Sequence, residues 1–230
     1  AIMCGQVDDT GGRTSALAEA SALYRDLIGE PDMDVVAISY ELATVLSVTA
    51  ALANSANDYV TARETLAEQL RLEMLVSDAR PTDRDFFRRM GNTYENSGIV
   101  ENSAGDHASA SQLFTIAANI FRELLTEAIA PETDRRKLCQ ALRRLGEALA
   151  EMGDHSAARA ALQDSVELSR TVVKGADATT NDWHGHGIGL VQLIDQMSTL
   201  EDDYAAASTG NEAVTAFERV VALDPSNAEF

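Results

Sequence analysis

A periodic column of acidic residues constrains this chain more than any other feature. Asp58-Tyr59, Asp106-His107, Asp154-His155 and Asp203-Tyr204 recur at spacings of 48, 48 and 49 residues, each an acid followed by a ring. Ala62, Ala110, Ala158 and Ala207 follow four residues after each Asp; Leu66, Phe114 and Leu162 follow eight after it, with Asn211 the exception. An Asp at a helix start accepts hydrogen bonds from backbone N–H groups that have no partner within the helix. The small Ala one turn later lets a second helix approach closely, and the bulky residue a turn beyond fills the space beside it. Each column thus marks the closing half of a helix–turn–helix unit.

The prolines fall into a second column of similar period. Pro31, Pro81 and Pro131 are 50 residues apart, and Pro225 follows 94 later, with Lys174-Gly175-Ala176-Asp177 filling the missing step. Proline recurs where helices stop. Ala, Leu, Glu, Arg and Gln are plentiful between these marks, so the intrinsic preference of nearly every segment is helical. The pattern predicts an all-α protein of about nine helices, at about 13–29, 34–55, 58–78, 83–102, 106–129, 133–152, 155–174, 184–201 and 203–223. Residues 1–30 read as an N-terminal half repeat, because Asp9 precedes Asp58 by 49 residues while Arg13 stands where the Ala belongs. Four repeats follow at 31–80, 81–130, 131–176 and 177–224, with the start of a further one at 225–230.

The third unit resembles a tetratricopeptide repeat: Leu142-x-x-Leu145-Gly146-x-x-Leu149-x-x-x-Gly153-Asp154-x-x-x-Ala158-x-x-x-Leu162-x-x-Ser165 gives the family's order of large, small and turn positions. The run Phe217 to Asn227 is similar to the usual close of such a repeat. The family's period is about 34 residues, so the resemblance is to extended, bacterial-type versions with longer helices or loops. Ser97-Gly98 replaces Leu-Gly in the second unit, Ile194-Asp195 replaces it in the fourth, and the first has no Gly. The resemblance implies an α-solenoid of antiparallel helix pairs that binds a protein or peptide segment along its first helices. It also implies, as an alternative, a regulatory or assembly domain of a larger enzyme.

Charge and composition narrow the partners. With 18 cationic and 37 anionic side chains, the formal charge is −19, which repels a phosphate backbone and argues against nucleic acid. Cys4 and Cys139 lie far apart and form neither a disulfide framework nor a zinc knuckle, which points to a reducing, cytoplasmic setting. Ala1-Ile2-Met3-Cys4-Gly5 lacks the pattern of a secretory signal, and the chain reads as a piece of a longer protein. Val35 to Ala53 has the length of a membrane span, but it carries Glu41 and no basic flank, so a core helix is expected instead of a membrane segment.

Few residues point to chemistry. Asp182, His184 and His186, in the stretch Trp183-His184-Gly185-His186-Gly187, have ligand-like spacing for zinc or nickel in an expected loop. No second cluster supports a metal, a cofactor or a catalytic nucleophile, and the expectation is no enzyme. His107 and His155 share their column with Tyr59 and Tyr204, so packing rings explain them best. The third unit's register places Gln140, Arg143, Glu147 and Glu151 on a peptide groove, with Asn92, Glu95, Gln192 and Gln196 as counterparts in its neighbours. Arg84, Arg88, Arg89, Arg135, Arg136, Lys137, Arg143 and Arg144 are eight of the eighteen cations and crowd onto two first helices. Of these, Arg88, Arg89, Arg136 and Arg144 are the set expected to dock an acidic or phosphorylated segment, if they are not paired with the chain's own acids.

Overall fold

The computed structural model describes residues 10–30, 32–80, 82–126 and 131–224. Among them lie nine α-helices and no strand: α1 (Thr10–Ile28), α2 (Val35–Ser55), α3 (Tyr59–Ala79), α4 (Arg84–Ser103), α5 (His107–Leu124), α6 (Glu132–Glu151), α7 (His155–Val173), α8 (Thr180–Thr199) and α9 (Asp203–Leu223). The chain divides into two compact units, Ala1–Asn96 and Ser97–Phe230, and the division falls within α4. In the first unit α2 packs against α1 and α3; in the second, α5 packs on α6, α6 on α7, α7 on α8 and α8 on α9. Cys4, Asp9, Pro31, Pro81 and Pro225 lie outside the described residues, whereas Pro131 sits at the N-cap of α6.

One turn recurs at every step of the repeat. The residues just before the caps, Asn57, Gly105, Gly153 and Glu201, all have positive φ, at 59°, 83°, 79° and 59°. The next N–H in each case, from Asp58, Asp106, Asp154 and Asp202, donates to the carbonyl five residues back at 2.8 to 3.0 Å. This closes the preceding helix on a left-handed residue. The same Asp then opens the following helix: its carboxylate accepts from the N–H of Thr61 at 3.1 Å, Ser109 at 3.0 Å, Ala157 at 3.1 Å and Ala205 at 3.4 Å. A short turn that stops one helix and starts the next fixes the two as neighbours.

The fourth member of the column corrects the sequence reading by one residue. Asp202, not Asp203, caps α9, which makes the spacing 48 residues at every step. The small residue is then Ala206, which is buried, and not Ala207, which is exposed. Tyr204 is 90% exposed and is no packing ring. The other three rings brace their turns or neighbours: Tyr59 Oη donates to Asn57 Oδ1 at 2.9 Å, His107 Nδ1 meets Asn102 Oδ1 at 2.8 Å, and His155 Nδ1 meets Gln196 Oε1 at 2.9 Å.

In three of the four repeats a small residue is followed by a large one sixteen positions later in the chain. A Cβ at Gly98 would lie 2.6 Å from the Phe114 ring, and one at Gly146 would lie 2.5 Å from Leu162 Cγ. In the first unit the same two positions hold Ala50 and Leu66, both buried. The fourth repeat inverts the sizes, with Ile194 packed on the core and Gly210 opposite in sequence register. The second unit's core runs through Leu162, Val166, Leu190, Leu193, Met197 and Ala216.

Two boundaries differ from expectation. α8 begins at Thr180, not 184, because Thr179 and Asp182 form a reciprocal capping box. The Trp183-His184-Gly185-His186-Gly187 stretch is accordingly helical and not a loop. α5 ends at Leu124 where a helix to 129 was expected, and residues 127–130 lie outside the described set. α2 has the length and hydropathy of a membrane span, yet it buries Ser39, Leu42, Ala43, Leu46 and Ala50 in the first unit.

Candidate peptide clefts and their polar seams

Each unit has a cleft at the same place in the repeat. In the second unit a cleft of about 380 Å³ opens among α6, α7 and α8, lined by Gln140 and Arg143 of α6, Ser165 of α7, and Gly185 and Ile188 of α8. In the first unit a cleft of about 240 Å³ opens among α2, α3 and α4, lined by Thr44 and Ser47, Gln69, and Arg89, Asn92 and Asn96. Subtracting 96 residues, two repeats, turns Gln140, Arg143, Ser165, Gly185 and Ile188 into Thr44, Ser47, Gln69, Arg89 and Asn92. The fold therefore places first-helix residues on each cleft, with Gln69 of α3 on the first and Ser165, Ser169 and Val172 of α7 on the second.

The second cleft is floored by a seam of satisfied polar groups. Ser165 Oγ donates to the Cys139 carbonyl at 2.8 Å. Burial pushes the Cys139 thiol up to about 12, so it carries no thiolate at neutral pH. His186 is buried, with Nδ1 2.8 Å from Ser169 Oγ and Nε2 3.2 Å from Glu212 Oε1. A carboxylate beside Nε2 makes that nitrogen the donor, which leaves Nδ1 to accept from Ser169. Burial lowers the His186 pKa, against the pull of Glu212. Glu212 is held below the usual carboxylate range by Arg170, whose Nε and Nη2 reach its two oxygens at 2.7 and 2.8 Å.

Serine, histidine and carboxylate in series are the partners a nucleophile needs. Ser169, however, sits within α7, where backbone N–H groups are spent on the helix, and its hydroxyl is also 3.0 Å from the Val166 carbonyl. The series works as a polar seam joining α7, α8 and α9.

Asp182, His184 and His186 of the expected metal cluster all line the second cleft but are turned to different partners. Residues two apart on a helix point to roughly opposite sides, and His184 meets the Phe217 ring while His186 turns to Ser169 and Glu212. Asp182 is taken by the Thr179 N–H and hydroxyl, both at 2.8 Å, and by Arg136 Nε at 2.8 Å. Among the described residues no three His, Cys, Asp or Glu side chains converge on a metal position.

The groove residues separate into three groups. Gln140 and Arg143 line the second cleft and Asn92 lines the first. Glu147 is half-buried and Glu151 exposed on α6, while Gln192 is half-buried on α8. Glu95 and Gln196 are 2% and 4% exposed, which corrects their placement on an open face. Gln196 is held by His155 and by Asp195 at 2.9 Å.

The four arginines expected to dock an anion are engaged by the chain itself. Arg88 pairs with Asp85. Arg89 stacks 3.6 Å over the Tyr40 ring and donates to the Tyr40 carbonyl at 3.1 Å and to Thr44 Oγ1 at 3.0 Å. Arg136 holds Asp182 and donates to the Asp177 carbonyl at 3.3 Å. Arg144 is half-buried on α6.

No family model matches the chain. No curated protein matches it either. Among solved structures, BtubC from P. vanneervenii is similar with a TM-score of 0.57 at 13% identity, covering 96% of this chain and 93% of that one. A de novo designed helical repeat protein aligns with a TM-score of 0.36 at 14% identity, over 94% of this chain and 99% of that one. MamA aligns with a TM-score of 0.23 at 13% identity, over 93% and 96%. The likeness to BtubC is one of fold alone, and it spans nearly the whole of both chains. With its 48-residue caps, turns and paired helices, this chain is an all-α helical-repeat protein.

Proposed function

We propose that the chain is a non-enzymatic interaction scaffold, a cytoplasmic protein with extended tetratricopeptide-like repeats that takes a segment of a partner protein in its clefts. The observation that carries this reading is the recurrence of a cleft at the same repeat position, 96 residues apart, each lined by first-helix side chains. A repeat protein presents equivalent positions at a fixed interval, and an extended segment offers side chains at fixed intervals to meet them. The formal charge of −19 favours partners that are not nucleic acid.

A peptide-display selection tests the proposal. Peptides enriched on the chain should lose binding to a Gln140→Ala, Arg143→Glu variant whose circular dichroism and melting match the parent. Failure to enrich any peptide, or equal binding to both forms, counts against it.

A further inference from the structure

A buried carboxyl lies behind the first cleft. Glu73 of α3 is 2% exposed, Gln69 one turn earlier is 4% exposed, and Thr93 of α4 is fully buried beside them. Gln69 Nε2 donates to Glu73 Oε1 at 3.0 Å and to Thr93 Oγ1 at 2.7 Å, and the Thr93 hydroxyl donates to Glu73 Oε1 at 2.9 Å. Both amide hydrogens of Gln69 are thereby spent on one side of the knot. Two buried atoms are left without a partner among the described residues, Glu73 Oε2 and Gln69 Oε1.

Those two oxygens are the missing half of a familiar pair. A carboxylic acid and a primary amide bond at two points: the amide N–H to one acid oxygen, and the acid O–H to the amide oxygen. The first bond is present. The second needs a proton on Glu73 Oε2, which turns that oxygen into a donor and gives Gln69 Oε1 a bond to accept. An ionised Glu73 would instead bury a negative oxygen with no donor, which is costly.

We infer that Glu73 is a proton-binding site of the first unit, keeping its proton above the pH at which a free glutamate ionises and closing onto Gln69 as an acid–amide pair. The surrounding charges fit this reading. Arg89 of α4 acts on Glu73 by its charge, but its guanidinium is stacked on Tyr40 and donates to Tyr40 and Thr44 of α2. α2 lines the adjoining cleft with Thr44, Ser47 and Val48, none of them titratable. Burial raises the Glu73 pKa, and the hydrogen bonds from Gln69 and Thr93 and the charge of Arg89 oppose that rise without cancelling it. The consequence is a pH dependence of unusual sign for a carboxyl. The stabilisation is full below the ordinary glutamate value of 4.5 and is lost as pH rises through the higher folded value.

Because Gln69 also lines the first cleft, the state of Glu73 sets how that amide is held. This inference needs no peptide partner, so it stands or falls separately from the proposed function.

Two readings on the full chain test it. The Glu73 side-chain carboxyl carbon is followed by NMR across about pH 3 to about pH 9, and should titrate above the ordinary range. Glu73→Gln, which places a permanent N–H donor where the acid proton stands, should melt with the parent near pH 4 and above it near pH 8. A Glu73 carboxyl that titrates at or below the ordinary range overturns the inference, as does a Gln variant that melts below the parent near pH 8.

Discussion

Leu162 of α7 occupies the space that a side chain at Gly146 of α6 would need: a Cβ there would stand 2.5 Å from Leu162 Cγ and 3.2 Å from the Ala158 carbonyl. The glycine is therefore required for close approach and not for backbone freedom. Gly146→Ala improves helix propensity by about 1 kcal/mol, yet overpacking costs about 1–3 kcal/mol, so a net loss of stability is expected. Leu162→Val in the same chain should recover part of it. Urea denaturation of both singles and the double measures the coupling, which should be well above experimental error.

The turns give a prediction of opposite sign. Gly105 and Gly153 carry the left-handed conformation that costs a residue with a Cβ about 1–2 kcal/mol, whereas Glu201 holds it at φ 59°. Glu201→Gly should raise stability by about 0.5–1 kcal/mol. Gly153→Ala should lower it by about 1 kcal/mol. Thermal melts of the two variants beside the parent decide the point.

His186 gives the second unit its own pH response. Its folded pKa lies below the ordinary 6.5 because it is buried. The stability that follows is present above 6.5 and lost as pH falls from there toward the folded value. Glu212, held low by Arg170, adds a loss at still lower pH, below the ordinary 4.5. The melting temperature should fall as the solution is acidified from about pH 7 to about pH 5, and His186→Gln should remove that component. A melting profile unchanged by the substitution would contradict the assignment.

The sequence made the local features readable and hid the nonlocal ones. Asp58, Asp106 and Asp154 with their alanines could be found because a cap and its first turns are written within nine residues. The fourth step slipped because Asp202-Asp203-Tyr204 offers two acids, and the second is followed by a ring that imitates the pattern. Thr179 and Asp182 were a readable capping box, overshadowed by glycines that resemble a loop. The column of left-handed residues was hidden because Asn57 and Glu201 share it with two glycines. Nothing local couples Glu73 to Thr93, 20 residues on, or His186 to Glu212, 26 residues on; only packing between helices brings them together.

If a partner segment lies in the clefts, site-specific photocrosslinking in the native host will catch it there. A photoreactive residue at Gln140, on the second cleft, is compared with one at Gln163, exposed on α7. A discrete crosslinked protein is expected from position 140 that is absent from position 163 and is displaced by a peptide selected on the parent chain. Equal products from both positions, or none from position 140, would contradict binding in the cleft.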